Sequence, residues 1–220
     1  MDKHWVVCDK GENHSGSMPC PDCDQFDRVA SMLNHSGIPD VQRLKSFQNF
    51  KRITGTEAAY KAAKILVGEP ALATARVRFV LIYGSTGNGK THLAYASGLE
   101  AIRSGTPSKF TRCFDMLREF KAAFSQDKFG EVMRYYREIP YLIIDEFDWR
   151  TEFDIATLDD LLAGRDADER IMLLTSNRNL EDIQDTMPRI YSRLSDRVCS
   201  VMALNEGKDY RKGKVQATKE

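Results

Sequence analysis

Residues 84–91 read GSTGNGKT, directly after the apolar run RFVLIY and running into the helical pattern GKTHLAYASGLEAIRSG. A loop of the form G-x(4)-G-K-[ST] between a strand and a helix makes sense only in a βα unit, where successive backbone N–H groups converge on an anion at the helix N-terminus. Gly84, Ser85, Thr86, Gly87, Asn88, Gly89, Lys90, Thr91 and the adjoining His92 are therefore the candidate residues for holding the phosphates of ATP. Lys90 would bring charge to the β/γ oxygens and the Thr91 hydroxyl would ligate Mg²⁺. A larger side chain at Gly87 or Gly89 would obstruct the approach of the phosphates.

The rest of the chain repeats the same alternation. TEAAYKAAKILV has the apolar spacing of a helix with Thr56 as its cap, SKFTRCF reads as a strand, and DMLREFKAAFSQ reads as an amphipathic helix capped by Asp115. FGEVMRYYREI and LDDLLAGRDADE are helical, YLIIDEF and RIMLLTSN are buried strands, MPRIYSRLSDR is a short helix and VCSVMAL a last strand. Short apolar runs alternating with helices predict an α/β fold, a parallel five-stranded sheet between layers of helices. With 220 residues, 42% of them hydrophobic, the chain can build one sizeable core and a small appendage.

Two of these strands end in polar groups. YLIIDEF delivers Asp145 and Glu146 at its C-terminal edge, where ligands sit in open α/β sheets. Asp145 would hold Mg²⁺ through its water shell, and Glu146 would polarise the attacking water. IMLLTSN ends in Thr175, Ser176 and Asn177, and Asn177 is placed to bond the γ-phosphate or orient the water.

The first 23 residues hold Cys8, Cys20 and Cys23, with Cys20-Pro-Asp-Cys23 at knuckle spacing. With His4, or His14 as the alternative fourth ligand, they could form a Cys₃His site for Zn²⁺. The other account is a tail of reduced thiols. Cys113 and Cys199 fall in strand patterns and read as ordinary buried residues. The expected division is a small module over 1–35, a linker and leading helix over 36–77, and the ATP-binding domain over 78–220.

Equal numbers of basic and acidic residues, 32 of each, give no global field for nucleic acid, so such contact must come from a local patch. One candidate is KFTRCFDMLREFKAAF, which interleaves Lys109, Arg112, Arg118 and Lys121 with Phe110, Phe114, Phe120 and Phe124. Bases stack on aromatics in single-strand channels, but helical spacing places several of these rings equally well in a core. No apolar run approaches the roughly 20 residues that span a bilayer, which predicts a cytoplasmic protein without a membrane partner.

From about Ser46 to Arg211 the order of motifs resembles the AAA+ ATPases. SGIP, SFQNF, GSTGNGKTHLA, LIIDEF, LLTSN, SRLSDR and GKDYRKG are similar to the helicase loaders of the DnaC/DnaI kind and to the IstB transposition ATPases. The resemblance implies that Asn177 is the first sensor and Arg193 the arginine finger that reaches a neighbouring subunit, with Arg189 and Arg197 as alternatives. It also implies that Arg211 is the second-sensor arginine and that the C-terminal helical lid is missing. On it, the chain would be a Mg²⁺-dependent ATPase that self-assembles through the finger interface and loads a replicative DNA helicase onto single-stranded DNA. The alternative is an IstB-like regulator of transposition that assembles on duplex DNA. A small-molecule kinase fits less well, because the DE pair and the arginine-bearing helix suit water activation and assembly better than a closing lid.

Overall fold

The computed structural model of the chain describes residues 21–68, 77–196 and 198–209. Five strands, β1 (Phe79–Tyr83), β2 (Ser108–Arg112), β3 (Tyr141–Asp145), β4 (Ile171–Ser176) and β5 (Ser200–Leu204), form one sheet in the order β2-β3-β4-β1-β5. Every pairing is parallel, as the alternation requires. The crossovers are helical: α3 (Lys90–Arg103) follows β1, α4 (Cys113–Ser125) and α5 (Phe129–Glu138) follow β2, and α6 (Glu152–Ala167) follows β3. Two short helices, α7 (Leu180–Thr186) and α8 (Pro188–Leu194), lead from β4 to β5, while α1 (Pro21–His35) and α2 (Glu57–Ile65) precede the sheet.

The strands are apolar throughout because both faces of the sheet are covered, and their side chains sort by alternation. Phe79, Leu81, Leu142, Ile144, Met172 and Leu174 face one core with α4, α5, α6 and α8. Val80, Ile82, Tyr141, Ile143 and Leu173 face the other, with α2 and α3. Irregular chain joins this second core: Ile38, Phe47 and Phe50 are buried in it, and the Phe110 N–H donates to the Ser36 carbonyl at 2.7 Å along the outer edge of β2.

Local details differ from expectation for identifiable reasons. Thr56 immediately precedes α2 but does not cap it with its side chain. Its hydroxyl turns back to donate to the Ile53 carbonyl at 2.6 Å. β2 stops at Arg112, so Cys113 and Phe114 belong to α4; Asp115 sits inside the first turn and pairs with Arg112 at 3.0 Å. Cys199 precedes β5 in a turn rather than lying within the strand. Helix α7 has no counterpart in the sequence reading; Asn179 caps it by accepting from the Asp182 N–H at 2.7 Å. α6 starts on a full capping box between Thr151 and Asp154.

One buried charge organises the side of the sheet away from the loop. Arg165 of α6 is fully buried and its Nη1 donates to the carbonyls of Tyr136 (2.6 Å), Ile139 (2.9 Å) and Arg137 (3.1 Å). These are the carbonyls that the end of α5 would otherwise leave unpaired. Arg165→Met keeps the bulk but removes the donors, so unfolding free energy should fall by about 3 kcal/mol, read as a lower urea midpoint at unchanged slope.

Candidate nucleotide-binding site

The loop after β1 turns through three glycines at positive φ, Gly84 (137°), Gly87 (78°) and Gly89 (93°). Gly89 is left-handed at the N-cap of α3, a conformation that an L side chain enters only with strain. At Gly84 a Cβ would run into the carbonyl oxygen of Asn205, so the absence of a side chain is what lets the loop close on the segment after β5. Asn88 and Asn205 complete that closure with reciprocal bonds, Asn88 Nδ2 to the Asn205 carbonyl at 2.6 Å and Asn205 Nδ2 to the Asn88 carbonyl at 3.2 Å.

Lys90 is only 6% exposed. Its ammonium spans the loop and donates to the Gly84 carbonyl (2.8 Å), the Ser85 carbonyl (2.6 Å) and Asn88 Oδ1 (3.2 Å). One residue on, the Thr91 hydroxyl donates to Asp145 at 3.0 Å and 3.2 Å. Asp145 is buried at the end of β3, and this burial pushes its carboxyl up from the usual carboxylate range, opposed by hydrogen bonds from Thr175 and Thr91. A buried carboxylate beside a threonine hydroxyl is the hard oxygen donor set that suits Mg²⁺.

Glu146 leaves the strand with φ 56°, its side chain exposed and its N–H donating to Thr175 Oγ1 at 3.1 Å. Asn177 follows β4 and is exposed at the same edge. A cleft of about 620 Å³ is lined by Thr86 to His92, Asp145, Glu146, Thr175 and Asn177 on one side and by Lys45, Asn49, Phe50 and Lys51 on the other. His92 joins the two sides: its Nε2 lies 3.0 Å from the Ser46 carbonyl and its ring meets Phe50 edge-on at 5.2 Å. Burial lowers the His92 pKa, favouring the neutral ring.

Other expected residues lie elsewhere. Arg193 does not line this cleft; its Nη1 reaches Asp159 of α6 at 2.8 Å, and Arg189 lies 3.6 Å from the same carboxylate. Arg197 and Arg211 lie outside the described residues, as do His4, Cys8, His14 and Cys20. Of Cys23 only the helical backbone of α1 is described. Among the described residues no cluster of three His, Cys, Asp or Glu is arranged for a metal. Cys113 is buried with its thiol pushed up to about 12 by that burial, an unreactive group. No helix among the described residues is long and apolar enough to cross a membrane.

The aromatic stretch divides between core and surface. Phe110 and Phe120 are buried, whereas Phe114 and Phe124 are exposed at 51% and 66%. Arg150 and Arg118 lie 5.3 and 5.8 Å from the Phe114 ring, and Lys121 is held by Asp154 at 2.7 Å. A second hollow of about 510 Å³ contains Phe114, Arg118, Trp149, Arg150 and Arg178 and shares Glu146 and Asn177 with the first. Sequence reasoning missed Phe50, Tyr95, Arg112 and Thr175 as lining residues of the first cleft. Thr175 did leave a trace, a hydroxyl directly after the apolar run Ile171–Leu174.

A parallel five-stranded sheet, a glycine-rich loop on a helix N-terminus and an acidic pair at the end of β3, across β4 from the loop's own strand, define a P-loop nucleotide-binding protein. The family model for IstB-like ATP binding proteins matches residues 25–215, and the chain belongs to that family. Escherichia coli YdaV is 28% identical over 82% of this chain and 71% of its own length. An insertion sequence IS232 putative ATP-binding protein from Bacillus thuringiensis is 29% identical over 54% of this chain, which spans about half, 49%, of that relative. Among solved structures, the DnaC helicase loader superposes with TM-score 0.64 at 14% identity, covering 76% of this chain and all of that one, a likeness of fold.

Lys90→Ala removes the ammonium that bridges the loop. ATP affinity should fall by about 100-fold in calorimetric titration, with the thermal midpoint in the absence of nucleotide changed far less.

Proposed function

We propose that the protein is an ATP-switched loader that helps place a replicative hexameric DNA helicase on single-stranded DNA in the cytoplasm. The observation that carries the reading is the shared wall between two clefts. Glu146 and Asn177 line the nucleotide cleft and also the hollow that holds exposed Phe114 with Arg118 and Arg150 beside it. Exposed rings beside guanidinium groups suit unstacked bases and their phosphates, which only a single strand offers. A strand lying there would touch the residues that act on nucleotide, and this couples DNA contact to turnover.

In this reading Lys90 and the loop N–H groups bind the phosphates, while Thr91 and Asp145 hold Mg²⁺. The ion, when bound, neutralises charge on the phosphate oxygens. Glu146 takes a proton from the attacking water, and Asn177 orients that water. Arg193 exchanges Asp159 for the γ-phosphate of a neighbouring protomer, which makes turnover depend on assembly. Residues 1–35, with Zn²⁺ on Cys8, Cys20, Cys23 and His4 or His14, would form the contact with the helicase.

The IS232 relative favours a second reading, an ATPase that assembles on duplex DNA in transposition. A pull-down with the host's replicative hexameric helicase, with ATP and without nucleotide, separates them. ATP-dependent capture that is lost in Lys90→Ala supports the loader; no capture, with ATP-dependent filaments on duplex DNA instead, supports the transposition regulator.

Glu146→Gln should retain ATP binding within about threefold while steady-state phosphate release falls by about 100-fold or more. Normal turnover by this variant would remove Glu146 from its role.

A further inference from the structure

Thr175 is 1% exposed and stands in β4 between buried Leu174 and buried Ser176. A hydroxyl in such a position is costly unless bonded. Beyond its ladder pairing with β1, its partners come from the end of β3 and the two residues that follow it. Its hydroxyl donates to Asp145 Oδ1 and accepts the Glu146 N–H at 3.1 Å, and its carbonyl accepts the Phe147 N–H at 2.6 Å. Three consecutive residues therefore converge on one threonine.

The place in the ladder explains why. The β3–β4 register runs from Tyr141↔Ile171 to Ile144↔Leu174 and ends there. Beyond it the chain turns through Glu146 at φ 56°, a left-handed conformation uncommon outside glycine that persists only where its surroundings determine it. The Thr175 hydroxyl supplies that determination where the regular ladder no longer reaches. Two residues further along, the same strand end presents Asn177 to the cleft.

We infer that Thr175 is a positioning residue: it fixes the direction in which Glu146 leaves the sheet and the orientation of the Asp145 carboxylate, and so sets both against Asn177. This rests on the reading of the cleft as a site of ATP hydrolysis. The hydroxyl is engaged by Asp145 and the Glu146 N–H and acts through these two acidic residues.

Thr175→Val keeps the shape and the strand bonds but removes the hydroxyl, while Thr175→Ser keeps it. In the full-length protein, turnover per folded molecule should fall by about 10- to 100-fold in Thr175→Val, with ATP affinity held within about threefold. Thr175→Ser should recover at least about a third of wild-type turnover. Exchange of the Glu146 amide hydrogen, read without any turnover, should accelerate about tenfold in Thr175→Val and return in Thr175→Ser. Thr175→Ala, judged by the same readings, stands in where the valine protein does not fold.

Wild-type turnover in Thr175→Val overturns the inference, as does equal impairment of valine and serine variants in step with a lower thermal midpoint. A wild-type protein without turnover removes the hydrolytic reading itself. The amide exchange then decides the positioning role, and unchanged exchange overturns it.

Discussion

The carboxylate of Asp145 ties three separate parts of the chain together. It lies buried at the end of β3 and accepts from Thr91 at the start of α3 and from Thr175 at the end of β4. A carboxylate removed from water is tolerated only with such partners, so the meeting of these three elements is a condition of the fold as well as of the site. Because the strands are parallel, their C-terminal ends share one edge, and that edge collects the phosphate loop, the acidic pair and Asn177.

Chain outside regular elements holds the loop in shape. From one side the segment after β5 closes on it through Asn205, which exchanges bonds with Asn88 and lies against the bare face of Gly84. From the other side Phe50 and Ser46 dock on His92, and Phe50 with Lys45, Asn49 and Lys51 forms the far wall of the cleft. Phe47 and Phe50 also belong to the core beneath α2 and α3, so the cleft wall and the hydrophobic core are one piece of packing.

The proposed assembly draws on two features. Glu146 and Asn177 face a nucleotide cleft and an aromatic, guanidinium-lined hollow at once, and the proposed coupling of nucleic acid to nucleotide rests on that shared wall. Arg193, by contrast, is held by Asp159 within the same chain, in an exchangeable pair whose two side chains are 29% and 22% exposed. Such a pair in partial contact with water is weakly held, and in the proposed assembly it would be traded for a phosphate.

The amino-acid sequence by itself determined the α/β class, the parallel sheet, the loop from Gly84 to Thr91 and the acidic pair at the end of its strand. These are local facts: glycine at positive φ, unbroken apolar runs and helical spacing leave few other solutions. It did not separate the rings of the 109–124 stretch, because Phe120 and Phe124 share a helical spacing yet one is buried and the other exposed. Nor did it give the bonds of Thr175 to Asp145 and Glu146, the docking of Phe50 on His92 or the pairing of Arg193 with Asp159. Each of these joins residues far apart in the chain, and only the packing of layers on the sheet brings such groups within bonding distance.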